Sequence, residues 1–510
     1  MSILIKGATI ISVDPDRGTE PFSGDILIED DRIKEIGAGL EAPGAEVIDG
    51  RDRLVMPGIT NAHYHSWENF FKGRYDNLPL ELWMLYSYPI LGLTPLSDRL
   101  IYLRTMLGAI DSLKHGVTNV LDDVLEMPAQ SLDQLGHVFQ AYEDVGIRAS
   151  CSGHIINRTF TDTIPYVGDL LPQDILEEIK QIPVPTTADF VEFAKQAIER
   201  FHGRAGRLRY VIAPSGPQRC TEDMLVAAEE LSREHGTTYH IHICETKMQA
   251  ITGREFYGKT LFRYMHDIGA LNERTTIAHS VWATDDDIEL MAQCGCSISH
   301  NPISNMKLIA GIAPFRKLWD AGVNVALGTD GTCSNDTPRV LDVMKIAALI
   351  HKVTTPDYTK APNASEIIRA ATINGARSAN VHGEVGSLEP GKKADLVLFD
   401  TTAINFTPLN DVRNHVVYCE NGESIDKVIV NGEIVVDDGT VTAVDETAIL
   451  EEIRESVPEY LARHTKVEEL NRKLEPYFAE VHFRCAAQGI GINRFSGDER
   501  EWVAEAALTG

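Results

Sequence analysis

The sequence predicts an α/β protein: a (β/α)8 barrel of the TIM type with a small β-sandwich built from both ends of the chain. Three observations lead there. Eight strand-like runs in the middle of the chain alternate with amphipathic helical stretches, the runs end in polar residues, and β-rich segments of similar texture bracket them. By length alone, 510 residues could hold two to four domains, but single barrels run long.

Residues 1–56 read as strands separated by turns. ILIKGATIIS, GDILIEDDRIKEIG and AEVIDGRDRLVM combine alternation with β-branched residues, and Asp-Pro, Asp-Asp and Gly segments supply the turns. The barrel is expected over 57–385. Its strand candidates are VMPGITNAHYH (55–65), VTNVLDD (117–123), RASCSGHI (148–155), LRYVIAPSG (208–216), TYHIHICE (238–245), TTIAHS (275–280), CSISHNP (296–302) and NVALGTD (324–330). Between them lie helical stretches such as SDRLIYLRTMLGAIDSLKHG and EDMLVAAEELSREHG, the latter closed by Gly236 as a C-cap. No GxGxxG or GxxxxGK[ST] follows any strand, which disfavours nucleotide-binding α/β folds. The β texture returns in ADLVLFD and DKVIVNGEIVVDDG, so 386–440 completes the sandwich. Residues 441–510 form a helical C-terminal extension. It is expected to pack on the barrel or a neighbouring subunit, a solvated polar helix being the plainer alternative.

Composition narrows the function classes. There are 47 Lys plus Arg against 75 Asp plus Glu, a net charge of −28, the opposite of a nucleic-acid or anionic-membrane footprint. The start, MSILIKGATIIS, lacks the charged and apolar blocks of a signal peptide, and no run approaches a membrane span. Eight cysteines in a chain this long are not a disulfide framework, and Cys294 with Cys296 is only a lone C-x-C. A cytoplasmic globular enzyme is expected.

The chemistry lies at the strand ends, where barrel enzymes gather their catalytic groups. His63 and His65 are two apart on one strand and face the same way. With His242 and Asp330 at the ends of two other strands they form an N3O donor set suited to one divalent ion, zinc first and ferrous iron second. Such an ion lowers the pKa of its water toward ~7. Glu245, three residues after His242, is placed to shuttle the proton; Asp330 could also accept it, and His279 could hold the water or polarise the leaving group. His240 lies two residues deeper than His242, where packing inside the barrel is expected. His300 ends a strand, with substrate contact as a secondary reading. His115, His202, His235, His351, His464 and His482 sit in helical or loop contexts and are expected to be solvated. The aromatic segment after His65, with Trp67 and Trp83, would overhang the site and suit a planar ring.

PGITNAHYH, HICET, IAHS, SHNPISNMKLIAGIAPF, GTDGTCSND and GSLEPGKKADLVLFD together resemble the amidohydrolase superfamily, in the branch of cytosine, S-adenosylhomocysteine and guanine deaminases and triazine hydrolases. The resemblance spans roughly 1–440. It implies His63, His65, His242 and Asp330 as ligands, Glu245 and His279 in acid–base and water-orienting roles, and self-association as a dimer or larger. No lysine occupies the strand 4 position in RYVIAPSG, which implies one metal rather than a bridged pair. S-adenosylhomocysteine deaminases tend to carry Glu where this chain has Leu91 in Pro89-Ile90-Leu91, and His where it has Ser215. Gln218 and Arg219 could replace those contacts, a structural salt bridge being the other reading of Arg219. Asn305 and Ser334 complete the candidate substrate contacts.

The expectation is therefore a metal-dependent hydrolase that deaminates an amino-substituted N-heterocycle of pyrimidine, purine, pterin or triazine type, with Glu245 as proton shuttle. The alternative uses the same machinery for dechlorination, alkylamine displacement or opening of a cyclic amide or urea. A chloride needs no proton donor, so Glu245 tilts the balance toward amines and amides. A non-catalytic scaffold of this fold should have lost ligands, and all four are present.

Overall fold

A computed structural model describes residues 2–496; the expected extension's last segment, 497–510, lies outside the described residues. Among the described residues, seventeen strands divide between a barrel and one mixed sheet. The sheet uses β1 (Ser2–Ile10), β2 (Phe22–Glu29), β3 (Arg32–Gly37), β4 (Glu46–Asp49) and β5 (Arg53–Pro57). The barrel strands follow: β6 (Ile59–Tyr64), β7 (Val117–Asp122), β8 (Arg148–Ser152), β9 (Leu208–Val211), β10 (Tyr239–Ile243), β11 (Thr275–His279), β12 (Ser297–His300) and β13 (Asn324–Leu327). The chain then returns to the sheet through β14 (Leu396–Asp400), β15 (Ile425–Val430), β16 (Glu433–Asp437) and β17 (Thr440–Val441).

Parallel strands covered on both faces should be apolar throughout rather than alternating. Every barrel-strand residue except Arg209 and Asn324 is buried. β6 to β9 pair in sequence, as do β10 to β13, all parallel. Ile212 joins the two halves, accepting from the His240 N–H at 2.8 Å and donating to Thr238 O at 3.0 Å. The barrel closes where Asp330 N–H donates to His63 O at 2.9 Å and the Asn61 amide donates to Thr329 Oγ1 at 2.7 Å. The fold is the barrel type expected.

The mixed sheet runs β17-β16-β15-β14-β5-β1-β2-β3, with β4 on β1. It curls over its own core, since Ile5, Ile28, Ile33, Val55, Leu396 and Ile429, from both wings, share one cluster. The run 55–65, read as a single strand, is in fact two. β5 pairs with β14 in the mixed sheet, β6 opens the barrel, and Gly58 makes the break. A Cβ there would lie 2.0 Å from Thr118 Oγ1, so only glycine lets the chain pass. Gly236 caps the helix Glu222–His235 in the left-handed region, φ 61°.

One buried ion pair fastens barrel to sheet. Arg148, on β8, donates to Asp395 through Nε at 2.8 Å and through its terminal nitrogen at 2.9 Å, with both side chains 1% exposed. Breaking such a pair strands a buried charge at about 3–5 kcal/mol. Arg148→Met should therefore lower the urea midpoint by that much stability, and adding Asp395→Leu should recover most of it. A midpoint unchanged by Arg148→Met would refute the fastening role.

The C-terminal extension packs on the barrel mouth. The helices Glu446–Asn471 and Glu475–Ala486 hold the helix Leu80–Ser87. Leu82, Leu85 and Tyr86 share a core with Leu474, Phe478 and Val481. Asn471 Oδ1 accepts the N–H groups of Ile90 and Leu91, and Glu468 accepts from Arg74 and Tyr75 at 2.7 Å each. His464, expected in solvent, is buried here with Nε2 2.9 Å from Tyr86 O, and His351 is buried against His300. In both cases the burial comes from distant segments.

Candidate metal centre and active site

Four histidines converge at the barrel mouth, and in each one ring nitrogen is already engaged. His65 Nδ1 lies 2.8 Å from Asp123 O, His242 Nδ1 2.9 Å from Ser215 O, His279 Nδ1 2.9 Å from Asn305 Oδ1, and His63 Nδ1 2.9 Å from His240 Nε2. A carbonyl oxygen can only accept, so in His65 and His242 the Nδ1 carries a proton and Nε2 is the nitrogen that faces the site. The Nε2 atoms face inward. That of His63 lies 3.2 Å and that of His65 3.3 Å from Asp330 Oδ1, and His65 Nε2 is 3.3 Å from His242 Nε2. His279 Nε2 is 3.8 Å from Glu245 Oε2 and 4.0 Å from Asp330 Oδ2.

The residues present fit a divalent cation. His63, His65 and Asp330 offer donor atoms within 4.8 Å of one another, as do His63, His242 and His279, and the buried His63 Nε2 has no hydrogen-bond partner. Burial holds His63 down to about 4 and His242 well below the ordinary imidazole range, so both are neutral and free to ligate. Burial works the same way on His65, but the carboxylates of Asp330, Glu68 and Asp123 outweigh it and lift His65 to about 9. The pocket is thus built to hold positive charge.

The local backbone is strained to make this geometry. His279 and Asp330 sit at the strand ends with φ of 73° and 66°, a left-handed conformation that persists where the surroundings enforce it. Gly331 beside them leaves room for a carboxylate, since a Cβ there would lie 1.8 Å from Glu68 Oε2. Glu245 is buried next to the cluster, and burial raises its carboxyl to about 6 against the pull of His279.

The cavity over this cluster is lined by Trp67, Glu68, Trp83, Met84, His154 and Arg219, together with His65, His242, Glu245, His279 and Asp330. Of the candidate substrate contacts, Trp67 and Trp83 therefore line it. Gln218, Asn305 and Ser334 do not. Asn305 holds His279, Ser334 donates to Gly331 O at 3.1 Å, and Gln218 is buried behind the wall. His300 does not line the cavity either; its Nε2 lies 3.0 Å from His351 Nε2. His240 is fully buried and orients His63. Arg219 forms no ion pair among the described residues, contrary to the salt-bridge reading; its contacts are Ser215 Oγ at 3.3 Å and Met84 Sδ at 3.2 Å. Sequence reasoning missed Glu68, His154 and Asp123. A carboxylate three residues after an H-x-H pair, as in HYHSWE, was a signal for Glu68; Asp123 sat in the strand end VTNVLDD without a partner to mark it.

The sequence pattern of the amidohydrolase family matches residues 54–435, and the chain belongs to that family. It is 34% identical over 463 residues to a 5'-deoxyadenosine deaminase of Methanosarcina acetivorans, covering 90% of this chain and 99% of the relative. It is 31% identical to a 5-methylthioadenosine/S-adenosylhomocysteine deaminase of Caldanaerobacter subterraneus, covering 89% and 97%. Among solved structures, a triazine hydrolase from Arthobacter aurescens superposes with a TM-score of 0.79 at 23% identity, covering 92% of this chain and 99% of that one. An adenosine deaminase from Xanthomonas campestris with bound zinc superposes with a TM-score of 0.78 at 23% identity, covering 91% and 98%; at such identity these two show the shared fold. The protein is a hydrolase acting on C–N bonds. Among the described residues no helix is long and apolar enough to cross a membrane. All eight cysteines are unpaired.

Proposed function

We propose that this hydrolase releases ammonia from an amino-substituted N-heterocycle, with Glu245 carrying the proton. The observation that carries the reading is Glu245 itself: a buried carboxyl poised near 6, beside His279 and the converging donors. His63, His65, His242 and Asp330 are the proposed ligands of one ion per subunit, zinc first and ferrous iron second. When bound, that ion supplies a water that ionises near neutral pH. Glu245 would take one proton of that water and pass it to the ring nitrogen, and the second proton of the same oxygen would go to the leaving amine, so that a C–O bond forms, the C–N bond breaks and ammonia departs. Asp330 Oδ2, which accepts from Ser304 Oγ at 2.6 Å, lies 4.0 Å from His279 Nε2; these two groups would hold the attacking water, with Asn305 orienting His279 through Nδ1. Trp67 and Trp83 flank the ring.

The names of the relatives, deaminases of adenosine derivatives, support a purine within the heterocycle class. A neighbouring cavity lined by Glu81, Thr246, Met248 and His482 shares Leu308 with the catalytic one and offers room for a substituent on the ring. A cytoplasmic setting and a dimer or larger assembly belong to the same reading. The free cysteines suit the first, and the resemblance to the family supports the second.

The test is ammonia release by the zinc-loaded protein from adenosine derivatives, aminopurines, aminopyrimidines, pterins and aminotriazines. Release from at least one ring class is expected. Silence across the panel, with chloride or alkylamine released instead, would replace deamination by displacement chemistry.

A further inference from the structure

The C-x-C pair takes no part in the chemistry above. Cys294 closes the helix Asp285–Cys294 and Cys296 precedes β12, with Gly295 between them in the left-handed region, φ 72°. Gly295 N–H donates to Ala292 O at 3.2 Å and Cys296 N–H donates to Met291 O at 3.0 Å, so the chain folds back on the last turn of the helix. The parallel pairing of β12 with β11 and β13 fixes the other side of that reversal. The reversal sets the two thiols against each other, and the Cys296 thiol donates to the Cys294 sulfur.

The two sulfurs are not equivalent. Six of the eight cysteines are buried, Cys296 among them at 1% exposure, whereas Cys294 is half-buried and open to solvent on one side. Arg263 and His266, from the helix Leu261–Asp267, bring positive charge to Cys294, while the Glu273 carboxylate acts on Cys296. The hydrogen bond from Cys296, helped by His266 and Arg263, outweighs partial burial and holds Cys294 down to about 6. The same bond, with burial and the Glu273 charge, pushes Cys296 well above the ordinary thiol range. An accessible thiolate therefore stands beside a protonated thiol. The thiolate is the reactive form of cysteine, and a neighbouring thiol captures what its oxidation produces.

We propose that Cys294 and Cys296 form a reversible redox site for hydroperoxides, in which Cys294 attacks the peroxide and Cys296 resolves the product. In the first step the Cys294 S–O bond forms and the peroxide O–O bond breaks; hydrogen peroxide leaves hydroxide, which takes a proton from solvent to become water. In the second, the Cys296 sulfur displaces the sulfenic oxygen, the S–S bond forms and the S–O bond breaks, and the oxygen departs as water with the Cys296 proton. The sulfur pair gives up two electrons and the peroxide receives them; an external thiol returns them by exchange. The pair lies before the first residue of β12, at the end of the strand away from the barrel mouth, so the site works independently of the metal centre.

The experiment treats the zinc-loaded full chain with one equivalent of hydrogen peroxide and follows free thiols, intact mass and the peptide map. Two of the eight thiols are expected to disappear, with loss of the mass of two hydrogens and a mapped Cys294–Cys296 disulfide, and a thiol reductant should restore both. Cys294 should react about tenfold faster than the exposed Cys419. Cys296→Ser should stop at a sulfenic acid on Cys294 that a 1,3-dione traps, and Cys294→Ser should remove the fast phase. In urea the advantage of Cys294 should vanish, because the fold creates it. Cys419 reacting first, a disulfide mapped elsewhere, or an unpaired sulfenic acid on Cys294 in the wild type overturns the proposal. So does an advantage that survives urea. The wild-type map uses no variant, and a thermal midpoint equal to wild type shows that each serine variant is folded.

Discussion

Glu245→Gln is expected to cut ammonia release by about 10²–10⁴-fold while zinc content stays at the wild-type level. The amide keeps the shape and hydrogen-bonding reach of the carboxyl but cannot take up and return a proton. Glu245 is not among the proposed ligands, and His279 Nε2 lies 3.8 Å from its Oε2. Metal analysis alongside steady-state kinetics separates the two roles. Turnover within tenfold of wild type would remove Glu245 from the proton path; lost zinc would make it a ligand instead.

The second large effect concerns the cation. Dialysis against a chelator should abolish turnover and lower Tm by several degrees, and added Zn2+ should restore both. An ion present at a thousandfold its Kd stabilises the folded state by about 4 kcal/mol. The loss should also depend on pH. In the metal-free protein the carboxylates around His65 raise its folded value to about 9, against 6.5 when unfolded. Its stabilising contribution is therefore complete below 6.5 and disappears as pH rises through 9. The zinc-dependent increment in Tm should accordingly grow across that interval, as the ion takes over from the proton on His65. An increment that is flat or falls with pH would contradict this account of the site.

What could be read from the sequence was local. Each of His63, His65, His242, Glu245, His279 and Asp330 ends a short apolar run, and parallel strands bring such ends to one face, so periodicity and spacing sufficed to gather them. The groups that aim them were out of reach. Two are backbone carbonyls, of Asp123 and Ser215, with no side-chain signature. Asn305, read as a substrate contact, is a positioning residue because the short helix after β12 brings it behind His279. The burial of His351 and His464 depends on segments 51 and 378 residues away in sequence, which composition around them does not reveal. The break at Gly58 was hidden because strands of the sheet and the barrel share the same apolar texture across it.

The helix that roofs the cavity owes its position to the end of the chain. Leu80, Trp83 and Met84 line the cavity from above, and Glu468, Asn471 and Glu475 grip that segment without reaching the cavity themselves. Substrate range can therefore drift in evolution while every residue that meets the ring stays the same. A selection experiment for new substrates should diversify positions 468, 471 and 475 as well as the cavity walls.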